Sequence, residues 1–212
     1  MIFGTHQSNT LDQFTEVKQR AEHAALMADG HLGYIMPVGG VAAYKDKLSV
    51  AGVGFDIACG NCAIKTDLEY GDEWEQSELE EIADDIASEI SFGIGRKNTS
   101  RIAPTDHELF EDGRWELVPK RYREALRSKA REQLGTVGAG NHYVDVFYDE
   151  DGYIWVGVHF GSRGFGHTIA SNFLALAAGE PWGTRVSEFE ALLPVKNPIG
   201  HDYRYLMELA GR

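Results

Sequence analysis

Long apolar runs are missing from this sequence. None approaches the roughly 18 residues that a membrane-spanning helix needs. The N-terminus, Met-Ile-Phe-Gly-Thr-His-Gln, lacks the basic start and apolar stretch of a signal peptide, so the expected compartment is the cytoplasm. Cysteine is scarce. Cys59 and Cys62 are the only two, too few for a disulfide framework, and they read as reduced thiols. Basic charge is also short: 20 Lys and Arg stand against 33 Asp and Glu, a net charge of −13. That argues against a broad, non-specific nucleic-acid-binding face. No internal repeat and no Pro/Ser-rich linker divides the chain.

What is present fits a globular chain. The 212 residues are 43% hydrophobic and 25% charged, and residues 1–212 read as a single domain. Charge is unevenly spread. No basic residue lies between Lys65 and Arg96, whereas Lys120 to Arg131 reads KRYREALRSKAR. Glycine is frequent, 24 of 212, and clusters in a few short segments.

Leu11, Phe14, Val17 and Ala21 recur at helical spacing and predict a helix over 10–29, with Thr10 as its cap. Residues 38–66 read as short strands with tight glycine turns. An acidic amphipathic helix is expected over 73–90, loop over 91–118, and a basic helix over 119–133. Both helices read first as solvated faces, the basic one with a phosphate-facing role as the second reading. Residues 142–160 form the clearest local unit, two β-rich runs flanking Asp149-Glu150-Asp151-Gly152. A four-residue loop pairs Tyr148 with Tyr153 and, counting back, His142 with His159. Both histidines then share one face, with Gly157 leaving space beside them. A one-residue slip would separate them.

Asp56 and Cys59 stand three apart in a Gly-rich bend, GVGFDIACGN, and can point at one centre. A carboxylate with a thiolate suits Zn²⁺ or Mn²⁺. On this segment alone, a buried structural Cys beside a turn Asp is the better reading of the residues. Cys59-x-x-Cys62 as a redox dithiol would need a helix start that is not seen. Two opposed histidines are costly to bury without a metal or hydrogen bonds, so His142 and His159 tip the balance towards a metal. Gly138-Ala139-Gly140-Asn141 leads into His142. Gly161-Ser162-Arg163-Gly164 follows His159 and enters an apolar helix, a composition that offers backbone N–H groups and a guanidinium to a phosphate.

Five Gly-patterned blocks together resemble the RtcB family of RNA ligases: residues 27–44, 52–61, 91–96 (SFGIGR), 133–146 (QLGTVGAGNHYVDV) and 159–167 (HFGSRGFGH). They occur in the family's order. The resemblance implies an α+β fold with a mixed, largely antiparallel β-sheet core, surrounding helices and a dinuclear metal site in a cleft. It implies a GTP- and Mn²⁺-dependent enzyme, with Zn²⁺ the other candidate ion. Such an enzyme joins RNA 3′-phosphate or 2′,3′-cyclic phosphate ends to 5′-hydroxyl ends through a guanylylated histidine, in tRNA splicing or RNA repair. By resemblance, Asp56, Cys59, His142 and His159 are metal ligands, with Cys59 able to bridge two ions. Asn141 contacts the nucleotide phosphate, Arg163 lies near the RNA-end phosphate and Asp29 lies near the reacting centre. RNA ends and GTP are the implied partners, and an accessory activating protein is left open.

The sequence also departs from the family. Met27-Ala28-Asp29 stands where the family has Met-Pro-Asp, and His159-Phe160-Gly161 where it has His-Ser-Gly. The family's nucleophilic histidine lies well beyond the GSRG block, so the chain is expected to be an N-terminal part, inactive in guanylylation alone, with His201 too early to serve. Two other readings stay open: a metal-dependent phosphoesterase, and a noncatalytic metal-stabilised module that binds RNA ends.

Overall fold

The computed structural model describes residues 1–71, 74–101 and 103–212. Glu73, where the acidic helix is expected to begin, and Ile102, in the expected loop, lie outside them. Helices and small antiparallel sheets alternate along the chain, an α+β architecture as expected. The chain divides into two compact units, residues 1–55 with 168–208, and residues 56–167 with 209–212.

The first unit opens with α1 (Ser8–Arg20), whose Phe14 and Val17 are fully buried. The helix is shorter than its periodicity predicts. Ala21 turns to extended backbone, and β1 (His23–His31) follows, paired antiparallel with β2 (Val38–Ala43). Ala, Leu and Met are good helix formers, yet here pairing with a Gly-rich strand overrides propensity. Thr10 is buried inside the helix, and the cap position is Gln7. β3 (Lys47–Ser49) pairs with β7 (Leu192–Pro194). Ser49 caps the short helix α2 (Val50–Val53), accepting from the Gly52 N–H at 2.8 Å, an element the strand reading of 38–66 missed. Most of α5 (Arg163–Ala177) and of α6 (Pro198–Ala210) completes this core, with Phe173 and Tyr203 rings 5.2 Å apart.

The second unit holds the three-stranded antiparallel sheet β4-β6-β5: Gly60–Glu69, Tyr153–Phe160 and Tyr143–Tyr148. The acidic helix α3 (Gln76–Glu89) closes its first turn with a Glu75/Glu78 capping box and buries no residue fully, in keeping with a solvated face. The expected loop over 91–118 contains two 3₁₀ turns, Glu108–Glu111 and Gly113–Leu117, which bury Phe110 and Trp115. The basic helix α4 (Lys120–Gln133) lays Arg127 over the Trp115 ring and Arg131 over Phe110. Arg123 binds Glu116 at 2.7 Å, so these three cations face protein partners.

The hairpin register differs from the expected one by one residue. Tyr148 pairs with Ile154, Phe147 with Trp155 and Tyr143 with His159. The reason is the turn. Asp149 N–H donates to Tyr153 O, so the loop has three residues, and Gly152 closes it at φ +88°. The Asp149 carboxylate also accepts from the N–H groups of Asp151 and Tyr153, at 3.1 and 2.9 Å. Gly157 accordingly faces Asp145, beneath the Phe147 ring, and not the space beside a histidine pair.

Candidate metal centre

Asp56, Ile57, Ala58 and Cys59 form one tight turn in the second unit. Cys59 N–H donates to Asp56 O at 3.0 Å, which brings the two side chains to one side of the bend. The left-handed position within this turn is Ala58, at φ +58°, while Gly54 just before it also takes a positive φ, +88°. A non-glycine residue pays for that conformation, about 1 kcal/mol or more. Cys59 stands just before β4, and His159 lies near the end of β6.

Cys59 Sγ lies 3.2 Å from His142 Nε2 and 3.1 Å from His159 Nε2. The two imidazole rings are 5.7 Å apart. His142 Nε2 is also 2.8 Å from Asp56 Oδ2. The one-residue slip does not separate the histidines because His142 precedes β5 and is not bound by strand alternation. Its ring is aimed instead by the Gly138 N–H, which donates to Nδ1 at 3.1 Å. A Cβ on Gly138 would stand 2.1 Å from that nitrogen, so glycine is required for this close approach. The His142 side chain is 7% exposed, and Asp56 is about one-third exposed.

Burial, together with the neighbouring Asp56 carboxylate that also accepts from the thiol, pushes Cys59 up to about 11. The metal-free cluster is thus a chain of donors and acceptors. Gly138 N–H donates to His142 Nδ1, the ring proton sits on Nε2 towards Asp56 Oδ2 with Cys59 Sγ alongside, and the thiol also faces Asp56.

The start of α5 differs from an open phosphate cradle. Its first N–H groups already have internal acceptors: Arg163 N–H donates to Asp56 Oδ1 at 3.0 Å and Gly164 N–H to Gln133 Oε1 at 2.9 Å. Gly161 lets the Asp56 carboxylate approach, since a Cβ there would meet it at 2.6 Å. The Arg163 guanidinium is half-buried and donates to Thr136 Oγ1 at 3.2 Å and Gly93 O at 2.8 Å. Its burial lowers its basicity, and Asp56 opposes that shift.

Asp56, Cys59, His142 and His159 are therefore drawn together. Asn141 stands next to them in sequence and is exposed, after Gly140 at φ +78°. Asp29 belongs to the first unit, on β1, with its carboxylate against Gly39. His201 also belongs to the first unit and pairs with Asp202 at 3.0 Å. Cys62 lies within β4 opposite Val158, and both cysteines are free thiols. Sequence reasoning missed Gly93, Gln133 and Thr136. All three lie in the resembling blocks 91–96 and 133–146, which were the visible signal, but no role followed from them.

Cys59, His142 and His159 present ligand atoms within 4.8 Å of one another. Donors on one tetrahedral zinc stand about 3.5 Å apart, close to the spacings seen. A thiolate and two imidazoles with a carboxylate at the edge fit a divalent cation of borderline softness. Ligation through His142 Nε2 would displace its proton, and the Gly138 N–H would then have to turn from Nδ1.

A family model described as "tRNA-splicing ligase RtcB" matches residues 10–212. The tRNA-splicing ligase RtcB of Pyrobaculum aerophilum is 31% identical over 84% of this chain and 46% of its own length. That of Thermococcus kodakarensis is 30% identical over 96% of this chain and 52% of its own. The RNA-splicing ligase RtcB of Escherichia coli K12 is 32% identical over 75% and 41%. The chain spans about half the length of the curated relatives it matches. With the matched model covering nearly all of the chain, the conclusion is that it belongs to the RtcB family.

Proposed function

We propose that this chain carries the metal-binding part of an RtcB-type catalytic domain. It serves a cytoplasmic RNA ligase that uses GTP and Mn²⁺ to join 3′-phosphate or 2′,3′-cyclic phosphate ends to 5′-hydroxyl ends. Family membership supports the class of activity. The observation that carries the reading is the convergence of Cys59, His142 and His159, with Asp56 against His142. These four residues would hold the cation, with Zn²⁺ as the alternative to Mn²⁺. A divalent ion there supplies a Lewis acid for phosphoryl oxygens. Cys59 would give up its proton to become a ligand, Asp56 would offer Oδ2 while Oδ1 stays on the Arg163 N–H, and Gly138, lacking a Cβ, leaves room for the His142 ring. By the same family reading, Asn141, exposed and next to His142 in sequence, is assigned to the nucleotide phosphate, and Asp29 to the reacting region.

The test is strand joining with the full polypeptide that contains this sequence, GTP, Mn²⁺, one RNA ending in a 2′,3′-cyclic phosphate and one beginning with a 5′-hydroxyl. A GTP-dependent joined product that disappears in Cys59→Ala supports the proposal. Loss of the terminal phosphate without joining replaces it with a phosphoesterase. Metal and RNA binding without turnover replaces it with a binding module.

A further inference from the structure

We propose that Arg163 is a positioning residue for the metal ligands, acting on Asp56 through its main chain and on His142 through its guanidinium. The inference rests on the metal-centre reading above. The family resemblance places this arginine near an RNA-end phosphate. Its donors here are spent inward, before any RNA is present.

Arg163 occupies the left-handed region, φ +53°, where residues other than glycine are disfavoured. That conformation aims its N–H at Asp56 Oδ1, 3.0 Å away, leaving Oδ2 facing His142 Nε2. The guanidinium works in the other direction. Nε donates to Thr136 Oγ1 and Nη2 to Gly93 O. The Gly93 N–H in turn donates to Val137 O and Gly138 O, both at 3.0 Å. Nη1 lies against Gly138, 2.4 Å from where a Cβ there would be. One planar fork therefore clamps the 91–98 loop to residues 136–138, and the Gly138 backbone packs against the His142 ring, its N–H donating to Nδ1 in the metal-free protein. Two ligands from segments over 80 residues apart take their orientation from one residue. Groups that orient metal ligands in this way tune affinity strongly.

The experiment uses Co²⁺, whose ligand-field and thiolate charge-transfer bands report the donor set. It is titrated into the wild type, Arg163→Ala, Arg163→Gly and Thr136→Val, with unfolding of each metal-free protein followed in parallel. Arg163→Ala should weaken Co²⁺ binding about 10- to 100-fold and shift the ligand-field bands. Arg163→Gly should be milder, because glycine keeps the positive φ and the N–H to Asp56. Thr136→Val should move the bands slightly in the same direction. If Arg163→Ala does not fold, the glycine and Thr136 variants decide the matter. Wild-type affinity and bands in the Arg163 variants would overturn the inference, as would a lower unfolding midpoint with unchanged bands. A wild-type protein that binds no Co²⁺ removes the metal-centre reading and this inference with it.

Discussion

Cation binding at Cys59 should release one proton, and the structure says why. Burial and the adjacent Asp56 hold the thiol up to about 11. At pH 7 the protein lies well below that value, so the thiol form predominates and a metal must displace its proton. The sign follows directly. The bound form has fewer protons than the free form, so apparent affinity rises with pH, about tenfold per unit between pH 7 and 9. The His142 ring adds a second reading of the same number. Its Nδ1 accepts from Gly138, so its proton sits on Nε2. If that proton moves to Nδ1 on ligation, the total stays at one, and if it leaves, the total is two. The geometry favours one, because the Gly138 N–H can turn at far lower cost than an imidazole can lose its last proton. Calorimetric titration with Zn²⁺ in two buffers of different ionisation enthalpy counts the protons. Cys59→Ser should abolish the release. A wild-type affinity that is flat from pH 7 to 9, or a proton count near zero, would refute this account of the site.

Cys62→Ala should leave Zn²⁺ affinity nearly unchanged, measured by the same titration, since Cys62 sits within β4 outside the ligand cluster. Gly138→Ala should weaken Zn²⁺ binding about tenfold or more, because the new Cβ would meet His142 Nδ1 at 2.1 Å and displace the ring. In acid, Asp149 should matter. Hydrogen bonds from Trp155 and Lys65 hold its carboxyl down to about 2, so its stabilising effect is present above the ordinary carboxylate range and is lost as pH falls through about 2. Asp149→Asn should therefore flatten the acid limb of an unfolding-versus-pH curve.

Much of the fold was legible where the pattern is local. The two charged helices show their apolar spacing and charge directly, and α3 and α4 lie within a few residues of their expected bounds. The strand after α1 was not legible, because Ala24, Ala25, Leu26 and Met27 carry helical propensity and become a strand only by pairing with β2. The hairpin was legible as a hairpin but not in register. Its register depends on whether Asp149 closes the turn or belongs to it, and both choices share one composition. The convergence of Cys59 with two histidines was legible from residue type and the family resemblance, although the register expected to oppose the histidines is not the one found. Its supports were not, since the Gly93 carbonyl and the Gly138 N–H are backbone groups that any sequence possesses. Gln133 looked like the end of a solvated helix, and Thr136 like part of a connection. Nothing local marks them as partners of a helix start about 30 residues away.

Asp56 shows most plainly how far the site exceeds its spacing. One carboxylate serves two masters: Oδ1 takes the Arg163 N–H, and Oδ2 stands 2.8 Å from His142 Nε2. Asp56→Asn tests whether both contacts count. An amide has one acceptor and two N–H donors. If its oxygen stays on the Arg163 N–H, its NH₂ faces the protonated Nε2 of His142. If the amide flips, the NH₂ faces the Arg163 N–H. Either orientation sets a donor against a donor, and the Cys59 thiol loses a carboxylate neighbour as well. The metal-free variant should therefore lose about 1–3 kcal/mol of stability in urea unfolding, the usual cost of stranding a partly buried polar group. Asp56→Ala, which removes the acceptor without adding donors, should be no less stable than Asp56→Asn. An asparagine variant with wild-type stability would mean that the carboxylate touches only one of its two partners in solution, and the coupling between the start of α5 and His142 would have to be abandoned.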